Sequence, residues 1–257
     1  METTVYKYAI VRAVPRTFDR CIRPAGPTVP IDVDLAMEQH RHYCDALESL
    51  GLELIRIEPD DRYPDCCFVE DPAVIVDGRA IVVNMGAPSR LGESVAIKEA
   101  LARWKVVTEV GTPGTLDGGD VLFAGDRYFV GLTSRSNETG FVAFREIVRE
   151  LGYVAESVPV KNALHLKSVC THLGEGHLVV APGHVDETIF CNYTLIPVSK
   201  EDEYSANCLS VNGKVLVIAG YPRTKAAIEA AGFETIELET TEFKKAGGSL
   251  TCLSIIF

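Results

Sequence analysis

The chain has 257 residues, of which 47% are hydrophobic and 24% are charged, a composition typical of a globular protein. Its 36 acidic and 25 basic residues give a net charge of −11. No Lys/Arg cluster is present, so we expect neither a nucleic-acid partner nor a membrane partner. The longest apolar runs are far shorter than the roughly 18 residues that span a membrane. The N-terminal segment also lacks the layout of a signal peptide, so we expect a cytoplasmic protein.

Turn dipeptides separate pairs of apolar runs at four places along the chain. These turns begin at residues 77 (Asp-Gly), 125 (Gly-Asp), 174 (Gly-Glu-Gly) and 212 (Asn-Gly). Such residues accept the positive φ that tight hairpins need, so each place predicts a β-hairpin. The turns recur at roughly 40–50 residues, a period typical of repeat or propeller proteins.

Apolar residues recur at helical spacing between the hairpins. Four segments with this pattern predict helices: residues 32–51, 89–104, 137–152 and 222–232. The first of them stops at Gly51, a residue type that favours the end of a helix. Each helix is followed by a short strand-like run. Segment 185–198 shows little helical pattern, so we expect one weaker unit.

The repeating unit is therefore a hairpin, a helix and a strand, and four hairpins are complete. A fifth would form if the first strand, in residues 6–13, paired with the last, in residues 250–257. This pairing would close a ring and remove exposed strand edges. We therefore predict one α/β domain over residues 1–257, with about five repeats arranged as a fivefold pseudo-symmetric propeller.

A polar residue stands just before or at the start of the first strand of each hairpin when the units are aligned. These residues are Asp71, Asp117, His165, Asn207 and Cys252, at steps of 46, 48, 42 and 45 residues. If rotation relates the repeats, their side chains converge at one end of the central axis. Five polar residues in phase are a stronger signal than any single motif, and they predict one small pocket.

A thiol and an imidazole that meet in space form a nucleophile and a proton carrier. In this pocket Cys252 would attack, His165 would move protons and Asp117 would orient the imidazole. For most of the eight cysteines we expect simple core packing, because free Cys is among the most buried residue types. No pair has CxxC spacing, so the cysteines do not predict a metal site. Only Cys252, which is in phase with His165, is predicted to be reactive.

The adjacent carboxylates Glu70 and Asp71 lie between apolar runs. Burying them is costly unless a cation pairs with them, so the pocket predicts a guanidinium or ammonium ligand. Such a cation would lower the pKa of the Cys252 thiol, whereas the carboxylates oppose its ionisation in the empty site. We therefore expect the thiol to ionise mainly when substrate binds.

Several motifs together resemble the dimethylarginine dimethylaminohydrolases, in that family's order and spacing from about residue 8 to the C-terminus. They are PDCCFVEDPAVIV, GAPSRLGE, LDGGDVLFAGDRYFVGLTSRSN, LHLKS, ANC, GYPRT and GGSLTCLS. The resemblance implies the pentein fold, a fivefold α/β propeller. It also implies hydrolysis of methylated arginine, a small-molecule substrate, to citrulline and dimethylamine or methylamine. No cofactor and no metal requirement are implied, and we expect a monomer or a homodimer.

The resemblance also implies a role for each matching residue. Cys252 would form a covalent thiouronium intermediate, His165 would protonate the leaving amine and then activate water, and Asp117 would orient His165. The remaining matches would bind substrate. They are Asp71 with Glu70 alongside for the guanidinium, Asp65 at the rim, Arg90 and Arg135 for the carboxylate, the carbonyl of Ala246 for the α-amine, and Ile22 as an apolar lid residue.

The chain departs from the family at Asn84-Met85, where Arg-Pro is common, and at Leu91, where a second Arg is common. We expect the loss of positive charge there to alter affinity or substrate choice. Two other functions stay open. One is another guanidine-modifying hydrolase, such as an arginine deiminase, which pocket shape around the leaving amine would decide. The other is a non-catalytic binding protein for a cationic amino acid, against which the intact Cys–His–Asp set argues.

Overall fold

A computed structural model describes residues 5–25 and 29–257 of the chain. The remaining residues, 1–4 and 26–28, belong to the predicted domain but lie outside this description. Within the described ranges, none of the helices combines the length and the apolar character needed to cross a membrane.

The chain forms fifteen strands and five α-helices in the described residues. In chain order the strands are β1 (Tyr8–Arg12), β2 (Glu53–Ile57), β3 (Ala73–Val76), β4 (Arg79–Val82), β5 (Val106–Glu109), β6 (Val121–Phe123), β7 (Arg127–Leu132), β8 (Val154–Pro159), β9 (Cys170–Gly174), β10 (His177–Val180), β11 (Thr194–Pro197), β12 (Leu209–Val211), β13 (Lys214–Ile218), β14 (Glu234–Leu238) and β15 (Ile255–Ile256). The helices are α1 (Val33–Ser49), α2 (Ser94–Leu101), α3 (Glu138–Glu150), α4 (Pro222–Ala230) and α5 (Thr241–Lys245).

The strands are arranged in five three-stranded sheets, one for each predicted repeat. Their strand orders are β15-β1-β2, β3-β4-β5, β6-β7-β8, β9-β10-β11 and β12-β13-β14. In every sheet the central strand pairs antiparallel with its hairpin partner and parallel with the strand that follows the helical segment. This repetition confirms the predicted fivefold α/β propeller.

Local signals place the helix ends. The carboxylate of Asp32 accepts a hydrogen bond from the backbone N–H of Leu35 at 3.0 Å, which satisfies a free donor at the start of α1. Gly51, with φ of 86°, follows the end of that helix as predicted. In the fourth unit a 3-10 helix, Glu187–Phe190, stands where the other units have an α-helix, in agreement with the weak pattern there.

The helix predicted over residues 89–104 begins later than expected. Residues Pro88–Glu93 form a 3-10 helix instead, and α2 starts at Ser94. The difference has a physical reason, because the side chains of Arg90 and Glu93 are both buried and hydrogen-bonded to each other. The tighter turn therefore belongs to the pocket described below rather than to the outer helical surface.

The first and last strands pair as predicted. In the antiparallel pair β1–β15, Ala9 lies opposite Ile256 and Ile10 opposite Ile255. That the five sheets close into a complete ring stays a prediction. The first hairpin strands of all five sheets nevertheless face a common central cavity of about 210 Å³, to which each contributes residues. These include Val74, Leu122, Thr171, Ser210 and Ile255.

The packing of β15 against the core predicts that truncating one of its side chains lowers stability. Ile255 is only 5% exposed and packs in a core cluster with Ile10 and Val69, whereas Ile256, its neighbour on the other face, is half-buried. We expect Ile255→Ala to lower the free energy of unfolding by about 2–5 kcal/mol, as cavities in a core do. Urea unfolding measures the loss, with Ile256→Ala as the matched control. Equal and small losses in both variants would mean that β15 is not part of the core.

Candidate active site

Three of the five in-phase residues meet in the structure. The carboxylates of Asp71 and Asp117 and the imidazole of His165 are buried, with ligand atoms all within 4.8 Å of one another. Asp117 and His165 each immediately precede a short 3-10 turn that leads into a first hairpin strand. The repeat therefore brings equivalent positions of neighbouring units to one place, as the sequence predicted for these three.

The imidazole of His165 lies between the two carboxylates. Its Nε2 atom is 3.1 Å from Oδ2 of Asp117, and its Nδ1 atom is 3.9 Å from Oδ1 of Asp71. The backbone N–H of Gly86 donates to the other oxygen of Asp117 at 2.7 Å, which fixes that carboxylate. A Cβ on Gly119 would lie 2.6 Å from Nδ1 of His165, so only glycine fits beside the ring. Asp117 makes the contact that an orienting carboxylate requires.

Cys252 lies in the 3-10 turn Thr251–Leu253 and is partly exposed. Its backbone carbonyl accepts the N–H of Glu70 at 3.2 Å, which ties the cysteine turn to the neighbour of Asp71. Burial raises the pKa of the Cys252 thiol, and the negative charges of Glu70 and Asp71 raise it further. The thiol is therefore neutral in the empty site, in agreement with the expectation that a cation is needed to ionise it.

The other seven cysteines lie in the described part of the chain and are free thiols. Six of them are buried, and Cys191 is exposed. This distribution agrees with the expectation that most cysteines pack in the core.

Asn207, the fifth in-phase residue, holds backbone rather than joining the charged group. Its amide nitrogen donates to the carbonyl of Lys167 at 2.8 Å and to the hydroxyl of Thr251 at 3.0 Å. Its amide oxygen accepts the N–H of Thr251 at 3.1 Å. Asn207 thus connects the segment that carries His165 to the turn that carries Cys252.

Glu70 is adjacent to Asp71 in the chain, but its side chain contacts different groups. Its carboxylate is 2.6 Å from Nζ of Lys167, accepts the hydroxyl of Thr251 at 2.9 Å and lines the central cavity. Burial raises the pKa of Glu70, although Lys167 opposes the shift. The predicted place of Glu70 at a substrate guanidinium stays a prediction. The sequence reasoning missed Lys167, for which the signal was that a buried carboxylate needs a cation.

Arg90 is deeply buried, at 3% exposure, and contacts the pocket carboxylate Asp71. Its Nη1 donates to Oδ2 of Asp71 at 2.5 Å, while Nε and Nη2 donate to the carboxylate of Glu93 at 3.0 and 2.8 Å. Burial alone would raise the pKa of Asp71, but the charges of His165 and Arg90 lower it to about 2. Sequence reasoning missed Glu93, which has no separate motif. The predicted binding of a substrate carboxylate by Arg90 stays a prediction.

Arg135 lies against the second carboxylate. Its Nη1 is 3.3 Å from Oδ2 of Asp117, and the side chain is largely buried. Asp71, Asp117 and His165 have the donor types of a metal site, yet two arginines already place cationic charge on both carboxylates. Both carboxylates therefore already have a cationic partner within the chain. A role of Arg135 toward a substrate carboxylate stays a prediction.

The rim of the pocket joins the N-terminal loop to the segment before Cys252. The backbone N–H of Ile22 lies 3.2 Å from both oxygens of Asp65, and the Ile22 side chain is exposed. Asp65 itself is buried, which raises its pKa. Ala246 follows α5 and is buried, and a Cβ on Gly248 would lie 2.3 Å from the ring of Phe68. Gly248 thus admits close packing of Phe68 against the loop.

The three departures from the family occupy different environments. Asn84 donates to the carbonyl of Gly114 at 2.7 Å, and Met85 packs in the core. Leu91 is exposed. Asn84 therefore holds a neighbouring backbone segment, and Met85 fills part of the core.

The charges around His165 predict an unusually high pKa for its imidazole. Burial alone would lower the pKa of His165, but Asp71 and the hydrogen bond to Asp117 raise it to about 9. The imidazole is therefore protonated at neutral pH. NMR titration of the imidazole in Cys252→Ser should give a midpoint near this value, and Asp71→Asn should lower it by about 1–3 pH units. A midpoint between 6 and 7 in Cys252→Ser, as for an ordinary histidine, would contradict this electrostatic explanation.

Comparison with known proteins agrees with the motif resemblance, although a scan of protein-family models found none that matches. The chain is 33% identical over 255 residues to the N(G),N(G)-dimethylarginine dimethylaminohydrolase of Pseudomonas aeruginosa, covering 98% of this chain and 100% of that one. It is 36% identical over 231 residues to the enzyme of that name from Streptomyces coelicolor, covering 88% and 87% of the two chains.

Solved structures show the same relationship. A cysteine-to-serine variant of the Pseudomonas aeruginosa protein, complexed with citrulline, matches with a TM-score of 0.96 at 32% identity, covering 99% of this chain and 100% of that one. The N-terminal domain of ArgZ, at 21% identity and a TM-score of 0.87 over 97% of each chain, shares the fold. With a third of its residues identical to those of a relative over nearly the whole of both chains, the chain belongs to the dimethylarginine dimethylaminohydrolase family.

Proposed function

We propose that the chain hydrolyses N-omega-methylated arginine, as dimethylarginine or monomethylarginine, to citrulline and dimethylamine or methylamine. The observation that carries the proposal is the position of His165 between two buried carboxylates. The turn of Cys252 is hydrogen-bonded to the neighbour of one of them. Family membership supports the same substrate class.

The substrate guanidinium supplies the positive charge that the thiol lacks. Burial and nearby carboxylates hold the Cys252 thiol neutral in the empty site. A bound guanidinium lowers the pKa of the thiol because its positive charge attracts the thiolate. Two opposite unit charges about 4 Å apart near a protein surface attract each other by about 4 kcal/mol. The thiol proton goes to solvent, since His165 is already protonated.

The first half of the reaction releases the amine. The thiolate of Cys252 attacks the guanidinium carbon and forms a neutral tetrahedral adduct. The imidazolium of His165 donates its proton to the methylated nitrogen, and the C–N bond breaks with its electron pair going to the departing amine. The product is neutral dimethylamine or methylamine, a neutral His165 and a cationic thiouronium on Cys252.

The second half releases citrulline. Neutral His165 takes a proton from water, and the resulting hydroxide adds to the thiouronium carbon. The new tetrahedral adduct loses the Cys252 sulfur as thiolate. The remaining hydroxyl proton then passes through solvent to this thiolate, so the urea group of citrulline forms and the neutral thiol is restored. His165 is again protonated, and Asp117 holds the imidazole in place throughout.

The remaining site residues are proposed to bind the substrate. Asp71, whose low pKa keeps it ionised, would accept hydrogen bonds from the guanidinium. A place for Glu70 alongside would require its carboxylate to leave Lys167. Arg135 and Arg90 would pair with the substrate carboxylate, for which the guanidinium fork is well suited. For Arg90 this requires at least part of its contact with Asp71 to give way. The carbonyl of Ala246 would hold the α-amine, with Asp65 at the rim and Ile22 as an apolar lid residue.

We further propose that the chain acts as one catalytic domain over residues 1–257, as a monomer or homodimer in the cytoplasm. Its charge pattern supports the absence of a nucleic-acid partner. The proposed reaction needs no cofactor.

A parallel substrate assay tests the proposed function. Dimethylarginine and arginine are supplied separately, and citrulline, dimethylamine and ammonia are measured. We expect citrulline and dimethylamine in equal amounts from dimethylarginine, with a higher kcat/KM than for arginine. Cys252→Ala should bind dimethylarginine and form no citrulline. Ammonia from arginine at the higher kcat/KM would indicate an arginine deiminase, and binding by the parent protein without citrulline would indicate a binding protein.

Acid quenching during turnover provides the control for the nucleophile. Mass spectrometry of the parent protein should show an adduct on Cys252. The same adduct on the buried Cys66, Cys67 or Cys208 would contradict the assignment of Cys252.

A further inference from the structure

A further buried carboxylate, Asp120, lies behind the pair formed by His165 and Asp117. It is 0% exposed, and the proposed reaction does not use it. Its Oδ1 atom accepts the backbone N–H of Leu166 at 2.9 Å, and its Oδ2 atom accepts the hydroxyls of Thr133 and Ser136 at 2.7 and 2.6 Å. Three donors from two segments therefore converge on one side chain.

These contacts lead to both members of the pair. Leu166 directly follows His165 and opens the 3-10 turn that the histidine precedes. The hydroxyl of Ser136 in turn accepts the backbone N–H of Asp117 at 3.0 Å. A single carboxylate thus fixes the backbone on one side of His165 and the backbone of Asp117 itself.

The direction of each hydrogen bond depends on Asp120 being an acceptor only. A hydroxyl has one proton, so Ser136 must give it to Asp120 while its lone pair takes the N–H of Asp117. In the same way, Thr133 donates to Asp120 and accepts the backbone N–H groups of Arg135 and Ser136 at 3.0 and 3.2 Å. An amide in place of the carboxylate would put a donor among three donors.

The backbone of strand β7 packs closely against Asp120 and Leu166. A Cβ on Gly131, in β7, would lie 2.6 Å from Oδ1 of Asp120 and 2.9 Å from Cβ of Leu166. The strand therefore passes directly against the carboxylate. The negative charge of Asp120 also acts on His165, whose elevated pKa it helps to maintain.

We propose that Asp120 is a positioning residue for the reaction, which sets the His165–Asp117 geometry through Leu166 and Ser136. This inference rests on the proposed function. A displacement of about 1 Å at a reacting group can lower a rate about 100-fold, so the effect on turnover should exceed the effect on binding.

Steady-state kinetics of Asp120→Asn with dimethylarginine tests the inference. We expect kcat to fall about 100-fold with KM nearly unchanged, and the NMR titration midpoint of His165 to fall. Val148→Ala, a core change in α3, is the matched control: it should lower stability and leave kcat and the His165 midpoint as in the parent. A parent-like kcat and His165 midpoint in Asp120→Asn would overturn the inference.

A second variant keeps the test independent of folding. Ser136→Ala removes the link from Asp120 to Asp117 and leaves the carboxylate in place. It should lower kcat with KM unchanged, and the combined variant should lose less than the product of the two separate losses, because both act through one network. Parent-like turnover in a folded Ser136→Ala would overturn the inference. A loss of kcat in the combined variant equal to the product of the two separate losses would also overturn it. Failure of the proposed function is separate, since the parent itself would then form no citrulline.

Discussion

The negative charge of Asp71 and Asp117, buried beside one histidine, is the constraint on which the rest of the site depends. Carboxylates are costly to bury without cations, and Arg90, Arg135 and protonated His165 supply them here. Burial, together with the charges of Glu70 and Asp71, keeps the Cys252 thiol neutral until another cation arrives. The resting state therefore holds an acid ready for the leaving amine and a nucleophile that needs its substrate.

The repeat explains how a chain with little local sequence signal assembles such a group. Each polar residue lies near the entry to an equivalent hairpin, so one structural position serves several chemical purposes. Adjacent residues at the entry to a hairpin also point their side chains to different sides. Asp71 faces the pocket, whereas its neighbour Glu70 pairs with Lys167 at the central cavity. Asn207 occupies the equivalent position in its own repeat and supports the backbone of the Cys252 turn.

The sequence was sufficient to predict the hairpins, most helices, the pairing of β1 with β15 and the meeting of Asp71, Asp117 and His165, because these follow from turn chemistry and periodicity. It did not reveal that Arg90 bridges Asp71 and Glu93, since that contact depends on the 3-10 turn Pro88–Glu93 and not on spacing. Asp120 was missed for a similar reason: its partners Thr133, Ser136 and Leu166 are brought to it only by the packing of neighbouring strands and turns.

The ionisation of Cys252 with and without a bound cation tests this account most directly. Ultraviolet absorbance of the thiolate, measured against pH and corrected with Cys252→Ser, gives the pKa of that thiol alone. Methylguanidinium, which carries the cation without the amino-acid portion, serves as the ligand. The account predicts a pKa above the usual value of about 8.5 for the empty site and a clear fall when methylguanidinium is added. A thiolate already present at neutral pH in the empty site, or a pKa that the ligand leaves unchanged, would contradict it.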